Sequence, residues 1–107
     1  MATDIKKVSR IARLFAEDVK KVMPVEKAVL FGSYAKGYAT ETSDVDICFF
    51  LNEYNGKQRV EIITELLCIG GKYPDVAFEP IVFESSELQN DNPFVREIIA
   101  SGIELAN

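Results

Sequence analysis

Two short stretches of the 107-residue sequence carry side chains of the kinds that handle phosphate and metal. The first is Val29-Leu30-Phe31-Gly32-Ser33-Tyr34-Ala35-Lys36-Gly37 and the second is Ser43-Asp44-Val45-Asp46-Ile47. The first reads as a β-strand that ends in Gly32-Ser33, with a helix starting behind it. A glycine lets a ligand approach the backbone closely. The free N–H groups of a helix start, together with the Ser33 hydroxyl, make an anion site for which phosphate is the obvious occupant. In the second stretch, Asp44 and Asp46 lie at the head of an apolar strand, where alternate residues point to the same face. Their backbones are then about 7 Å apart, and the carboxylate tips can converge. At about 4–5 Å the two charges repel by roughly 3–4 kcal/mol at an effective dielectric near 20, so the pair calls for a counter-charge. A divalent cation with hard oxygen ligands and open positions for water and phosphate, such as magnesium, supplies it. A phosphate cradle facing a magnesium-binding carboxylate pair is equipment for phosphoryl or nucleotidyl transfer. A Gly-Ser step alone is usually a turn, and an Asp-x-Asp alone is usually a strand terminus. The spacing that joins them is what makes the pattern specific.

That joined pattern resembles the nucleotidyltransferase superfamily that includes DNA polymerase beta and the aminoglycoside nucleotidyltransferases. It looks most like the minimal nucleotidyltransferases, small stand-alone members often paired with HEPN-domain proteins. The family signature is Gly-Ser followed, after a short helix, by Asp-x-Asp or Asp-x-Glu. It stands here as Gly32-Ser33 and Asp44-Val45-Asp46, and Lys36-Gly37 matches the Arg/Lys-Gly step of the short helix. The resemblance implies a third carboxylate on the next strand, with Asp75 and Glu79 as candidates that share a strand face. Glu79 is favoured, because it is a charge inside an otherwise apolar strand, whereas a solvated Asp75 at the strand start is ordinary. A Glu where many members have Asp departs from the family pattern.

The activity implied by the resemblance is magnesium-dependent transfer of a nucleoside monophosphate from a nucleoside triphosphate, ATP in the first instance, to a hydroxyl. Gly32, Ser33 and Lys36 are then the expected nucleotide-binding residues. Asp44, Asp46 and Glu79 are the expected catalytic and metal-binding residues, with Glu79 taking the acceptor proton. Tyr34 and Tyr38 either flank a base or ribose or simply pack. Larger members carry a second domain for the acceptor, so the resemblance implies a separate partner of HEPN toxin type, modified on a tyrosine, with this chain as antitoxin. Two other readings stand beside this one: a non-catalytic antitoxin or interaction module that acts by binding alone, and a nucleotide sensor that binds without turnover.

The elements that must position these residues follow from apolar spacing and punctuation. Val8, Ile11, Phe15, Val19 and Val22 recur at helical spacing and predict a helix over about Thr3 to Met23, capped by Thr3 or Asp4 and ended by Pro24. A strand over Glu26 to Phe31 precedes a short helix capped by Ser33 and closed by Gly37. After a polar loop from Tyr38 to Ser43, the strand Asp44 to Leu51 lacks polar alternation and is expected to be covered on both faces. Asn55-Gly56 makes a turn. A helix over about Lys57 to Ile69 turns Val60, Ile63, Leu66, Leu67 and Cys68 inward and ends at Gly70-Gly71. The strand Val76 to Phe83 contains Pro80, which argues for an edge strand or a bulge. Asn92-Pro93 opens a last helix that Gly102 closes, and Ile103-Glu104-Leu105 can form a short tail strand. The expected fold is α+β, a small mixed β-sheet flanked by helices in the order α-β-α-β-α-β-α, built as one domain over residues 1–107.

Composition removes several alternatives. The chain has no histidine, which excludes Ser-His-Asp and Cys-His catalysis, and its two cysteines cannot complete a structural zinc site. Cys48 and Cys68 are expected to be small core residues in a reducing compartment. The net charge of −5 is uneven. Residues 1–40 hold eight Lys/Arg against four Asp/Glu, and residues 41–107 hold four against thirteen. The acidic part argues against a general nucleic-acid coating role. The basic group Lys6, Lys7, Arg10 and Arg13 fits a solvated helix face, so direct nucleic-acid binding is not expected. No signal peptide is evident, and the longest dense apolar run, Ile47 to Leu51, is far too short to span a bilayer. The expectation is a cytoplasmic protein that does no membrane work.

Overall fold

The computed structural model describes residues 5–40 and 43–106, so the expected caps Thr3 and Asp4 lie outside the described residues. Helix α1 (Ile5–Lys20) buries Val8, Ala12, Phe15, Ala16 and Val19, one stripe at helical spacing. It ends three residues before the expected Met23, because Val22 and Met23 both donate their N–H groups to the Val19 carbonyl and turn the chain toward the sheet. Val22 is therefore exposed, not in the core as its spacing implied.

The remaining elements are β1 (Val25–Phe31), α2 (Ser33–Lys36), β2 (Val45–Leu51), α3 (Arg59–Gly70), β3 (Phe78–Glu84), a short 3-10 turn (Ser85–Leu88), α4 (Pro93–Ser101) and β4 (Ile103–Ala106). The order is the expected one with the tail strand added; the 3-10 turn had no sequence signal. The sheet order is β3-β2-β1-β4. Strand β1 runs antiparallel to β2 and β4, while β2 and β3 are parallel, so the sheet is mixed. Pro80 lies in β3, an edge strand, where a missing N–H is tolerated.

Strand β2 is covered on both faces, as its continuous apolar run required. Val45, Ile47, Phe49 and Leu51 pack with Phe15 and Leu66 under α1 and α3. Cys48 and Phe50 pack with Val29, Val95 and Ile98 under α4. Asp46 belongs to this second face by alternation and is the one residue of β2 that is not fully buried.

Helix α3 corrects the expected inward face. It buries Ile62, Leu66 and Gly70, at four-residue steps, while Val60, Leu67 and Cys68 are exposed and Ile63 is half-buried. Apolar residues occur all round this helix, so their spacing alone does not select a face. Packing selects it: at Gly70, Phe15 and Phe78 approach so closely that a Cβ would sit 3.5 Å from each ring. Cys68 is therefore not a core residue, whereas Cys48 is.

Helix α4 begins as expected. The Asn92 side-chain oxygen accepts hydrogen bonds from the N–H groups of Phe94 (3.0 Å) and Val95 (3.3 Å), and Pro93 takes the first helical position. At the other end Gly102 turns the chain into β4. A Cβ there would meet Val29 Cγ1 at 2.3 Å and the Ile98 carbonyl oxygen at 2.5 Å. Among the described residues, no helix is long and apolar enough to cross a membrane. The close fit at residue 102 means that Gly102→Ala is expected to destabilise the fold by about 1–3 kcal/mol. The check is urea unfolding, with a lower midpoint and an unchanged slope.

Candidate active site

The register of three strands sets one row of residues at one end of the sheet. Phe31, the last residue of β1, lies opposite Asp46, and Asp46 lies opposite Glu79. All three belong to the face that α4 covers further along, because Val29 and Cys48 of the same alternating sets pack against α4, as do Ile81 and Phe83 of β3.

The turn that follows Phe31 depends on one backbone conformation. Gly32 has φ 76° and ψ −151°, a region open essentially to glycine alone. This break makes Gly32 the residue that caps α2, and Ser33 is the first residue of the helix rather than its cap. Helix α2 is a single turn, closed as expected by Gly37 in the left-handed region. A Cβ built on Gly32 would stand 2.3 Å from Asp46 Oδ2. The Gly-Ser turn therefore rests directly on the Asp46 carboxylate.

The strand expected to begin at Asp44 begins at Val45, whose N–H donates to the Ala77 carbonyl oxygen at 2.8 Å. Asp44 is the exposed residue just outside it, and Asp46 is half-buried. Burial pushes the Asp46 carboxyl above its ordinary range, and the Asp44 charge adds to the rise. Glu79 is also held above its ordinary range, first by a hydrogen bond with the Asp44 side chain and then by the Asp46 charge. Asp44, Asp46 and Glu79 thus form one electrostatic cluster, and no basic side chain contributes to either shift. Asp75 does not join it. It sits in the turn before β3, beside a cavity of about 300 Å³ lined also by Ser43, Tyr34 and Val45, on the other side of the sheet.

A cluster of carboxylate oxygens has the donor chemistry for a hard divalent cation. Among the described residues, no three acidic or thiol groups stand close enough together to cage one ion. A cation such as magnesium, which takes one or two carboxylates and keeps other positions for water and phosphate oxygens, would suit Asp44 and Asp46.

The other expected residues are placed as follows. Lys36 forms an ion pair with Glu97 of α4 at 3.2 Å. Nothing local in the sequence marked Glu97 as its partner. Tyr34 is buried in the core under α1 and is a packing residue; Tyr38 is exposed. The sequence also gave no sign of a group of rings beside the cluster. Phe94 in the first turn of α4 lies 6.1 Å from Phe31 and 6.1 Å from Phe83, ring centre to ring centre. That a helix starts at Asn92-Pro93, with Phe94 in its first turn, was readable, but not that Phe94 is exposed or that α4 packs over the end of β1.

Comparison with known proteins shows what the chain as a whole resembles. Residues 8–104 match the family model of a nucleotidyltransferase domain. A Methanocaldococcus jannaschii protein, provisionally named a protein adenylyltransferase, is 28% identical over 101 residues, which span 92% of this chain and 98% of that protein. The crystal structure of a provisionally named nucleotidyltransferase from Sulfolobus solfataricus superposes with a TM-score of 0.64 at 18% identity, over 94% of this chain and 80% of that one. The latter likeness is one of fold.

Two outcomes are expected from this geometry. Gly32→Ala forces a left-handed conformation on a residue with a Cβ and drives that Cβ into Asp46, so it is expected to cost at least about 1–3 kcal/mol in urea unfolding. The second concerns pH. Asp46 and Glu79 hold their protons more tightly in the folded chain than in the unfolded one. Their contribution to stability is complete below the ordinary carboxylate range, near pH 4, and is lost as pH rises through their raised values. Asp46→Asn, which keeps the shape and removes the charge, is expected to raise Tm in metal-free buffer at neutral pH. That gain should shrink as pH falls below about 4.

Proposed function

The chain belongs to the nucleotidyltransferase domain family and is a nucleotidyltransferase, and from that premise we propose that it moves the nucleoside monophosphate of ATP, with magnesium, onto a side-chain hydroxyl of a partner protein. The observation that carries this reading is the contact of the Gly32 turn with Asp46, in a row that continues to Glu79. A phosphate held against the Gly32 and Ser33 backbone lies beside the carboxylates without any rearrangement of the sheet.

Gly32 and Ser33 hold phosphate oxygens, and Lys36 exchanges its exposed partner Glu97 for the triphosphate, an exchange that costs little for a surface ion pair. Asp44 and Asp46 are the cation ligands, with Glu79 beside them. Magnesium, when bound, neutralises charge on the phosphates and the departing pyrophosphate. The acceptor oxygen forms a bond to the α-phosphorus, the bond to pyrophosphate breaks, and the hydroxyl proton passes to Glu79.

The name of the Methanocaldococcus jannaschii relative supports an adenylyl group and a protein acceptor. By resemblance to the minimal members of the family, the acceptor is a tyrosine of a HEPN-type toxin, for which this chain serves as antitoxin. A cytoplasmic setting suits the two free cysteines, Cys48 and Cys68.

The test uses ATP labelled on its α-phosphate, magnesium, and the chain with the partner that co-purifies with it. Label is expected on the partner, and Asp44→Asn is expected to reduce transfer at least about a hundredfold, as does removal of magnesium by a chelator. Transfer that survives in the variant would remove Asp44 from the site. Protection of the cell by Asp44→Asn with no label moved would point to a binding module instead.

A further inference from the structure

Phe94 has a half-exposed ring, 51% accessible, on the sheet face that carries the carboxylates. A single exposed apolar residue is ordinary. What sets this one apart is how it is held. Phe31 meets it at an interplanar angle of 87° and Phe83 at 61°, each with ring centres 6.1 Å away. The two contacts fix the plane of the ring and leave part of it open to solvent.

Its position relative to the cluster follows from the register. Phe31 lies opposite Asp46, and Phe83 lies opposite Phe50, four residues further along β2. A ring that touches both Phe31 and Phe83 sits between those two rows. It is therefore about one pleat period, roughly 7 Å, from the carboxylate row. Helix α4 is also tied to the other side of the site, because Glu97, on the same helix face one turn after Phe94, pairs with Lys36 of α2. The Gly32 turn, the carboxylates and the Phe94 ring thus lie on one face, toward one end of the sheet.

A nucleotide whose phosphates lie on the Gly32 turn finds no apolar surface for its base at the carboxylates themselves. On that face Phe94 presents an exposed ring, packed against the partly buried Phe31 of the carboxylate row. We propose that Phe94, braced by Phe31 and Phe83, is the surface on which the nucleobase of the bound nucleotide stacks. This rests on the nucleotide-binding reading above and adds the base site to it. Stacking tolerates any base, since every base has a π face, so Phe94 supplies affinity without strong base selection.

The protein contains no tryptophan, so Phe94→Trp introduces a single indole as a reporter at a half-exposed position that accommodates it. Titration with ATP and magnesium is expected to quench its fluorescence, whereas inorganic tripolyphosphate is not. Phe94→Ala is expected to weaken ATP binding about tenfold or more, leave tripolyphosphate binding unchanged and raise KM with little change in kcat; Phe94→Tyr restores binding. Equilibrium dialysis with labelled ATP separates the possible failures. ATP that binds while the indole stays silent, or binds Phe94→Ala as tightly as the parent chain, overturns the stacking site and leaves the transferase reading intact. ATP that does not bind the parent chain overturns both.

Discussion

The contact between the Gly32 turn and the Asp46 carboxylate is the constraint around which this end of the sheet is arranged. It demands a residue without a Cβ in a conformation that other residues avoid. It also demands that β1 end level with the start of β2, which the antiparallel register of Phe31 with Asp46 provides. Once these are met, the Gly-Ser turn and an acidic side chain share one place, although a loop and a short helix separate them along the chain. The parallel pairing of β2 with β3 then brings Glu79 to the same row. Antiparallel pairing of two neighbouring strands and parallel pairing with the third is what places three separate segments at one corner.

The corner is electrostatically costly. Asp46 is partly taken out of water beside two other carboxyl groups, and among the described residues no basic side chain offsets the rise in its proton affinity. Two apolar layers offset the strain. One lies under α1 and α3, centred on Phe15, Phe49 and Leu66, and the other lies under α4, around Phe50 and Ile98. Because β2 is buried on both faces from Ile47 onward, its first turn of chain cannot shift to relax the repulsion without disturbing both layers. Like charges held together in this way are a local cost that the surrounding core sustains. This is the common relation between a functional site and the stability of the fold around it.

Helix α4 links the second layer to the site. Its Asn92-Pro93 start fixes where the helix begins, Val95 and Ile98 anchor it on the sheet, and the first-turn Phe94 is left half-exposed toward Phe31. On the side of α2, the Lys36–Glu97 pair is exposed and weak, so it orients the one-turn helix without locking it. The rigid parts of the corner are thus backbone and ring contacts, and the adaptable part is a lysine.

The sequence by itself determined the features that rest on local chemistry. Gly32-Ser33 and Asp44-Val45-Asp46 pointed to the family, which the family model bears out, and to a candidate site, because phosphate and cation handling is what joins those residues at that spacing. Pro80 marked an edge strand because it lacks an N–H, Asn92-Pro93 marked a helix start because both residues suit a helix end, and the unbroken run from Ile47 to Leu51 marked a strand covered on both faces. Tertiary structure decided what depends on partners distant in the chain. It brought Glu79, and not Asp75, level with Asp46, because pairing with β2 puts residue 79 opposite residue 46. It made Gly32 rather than Ser33 the cap, turned Val60, Leu67 and Cys68 outward on α3, ended α1 before Val22, and gave Lys36 to Glu97. Periodicity shows that a helix or strand has a face, but when apolar residues surround it, only the element packed against it determines which face is buried.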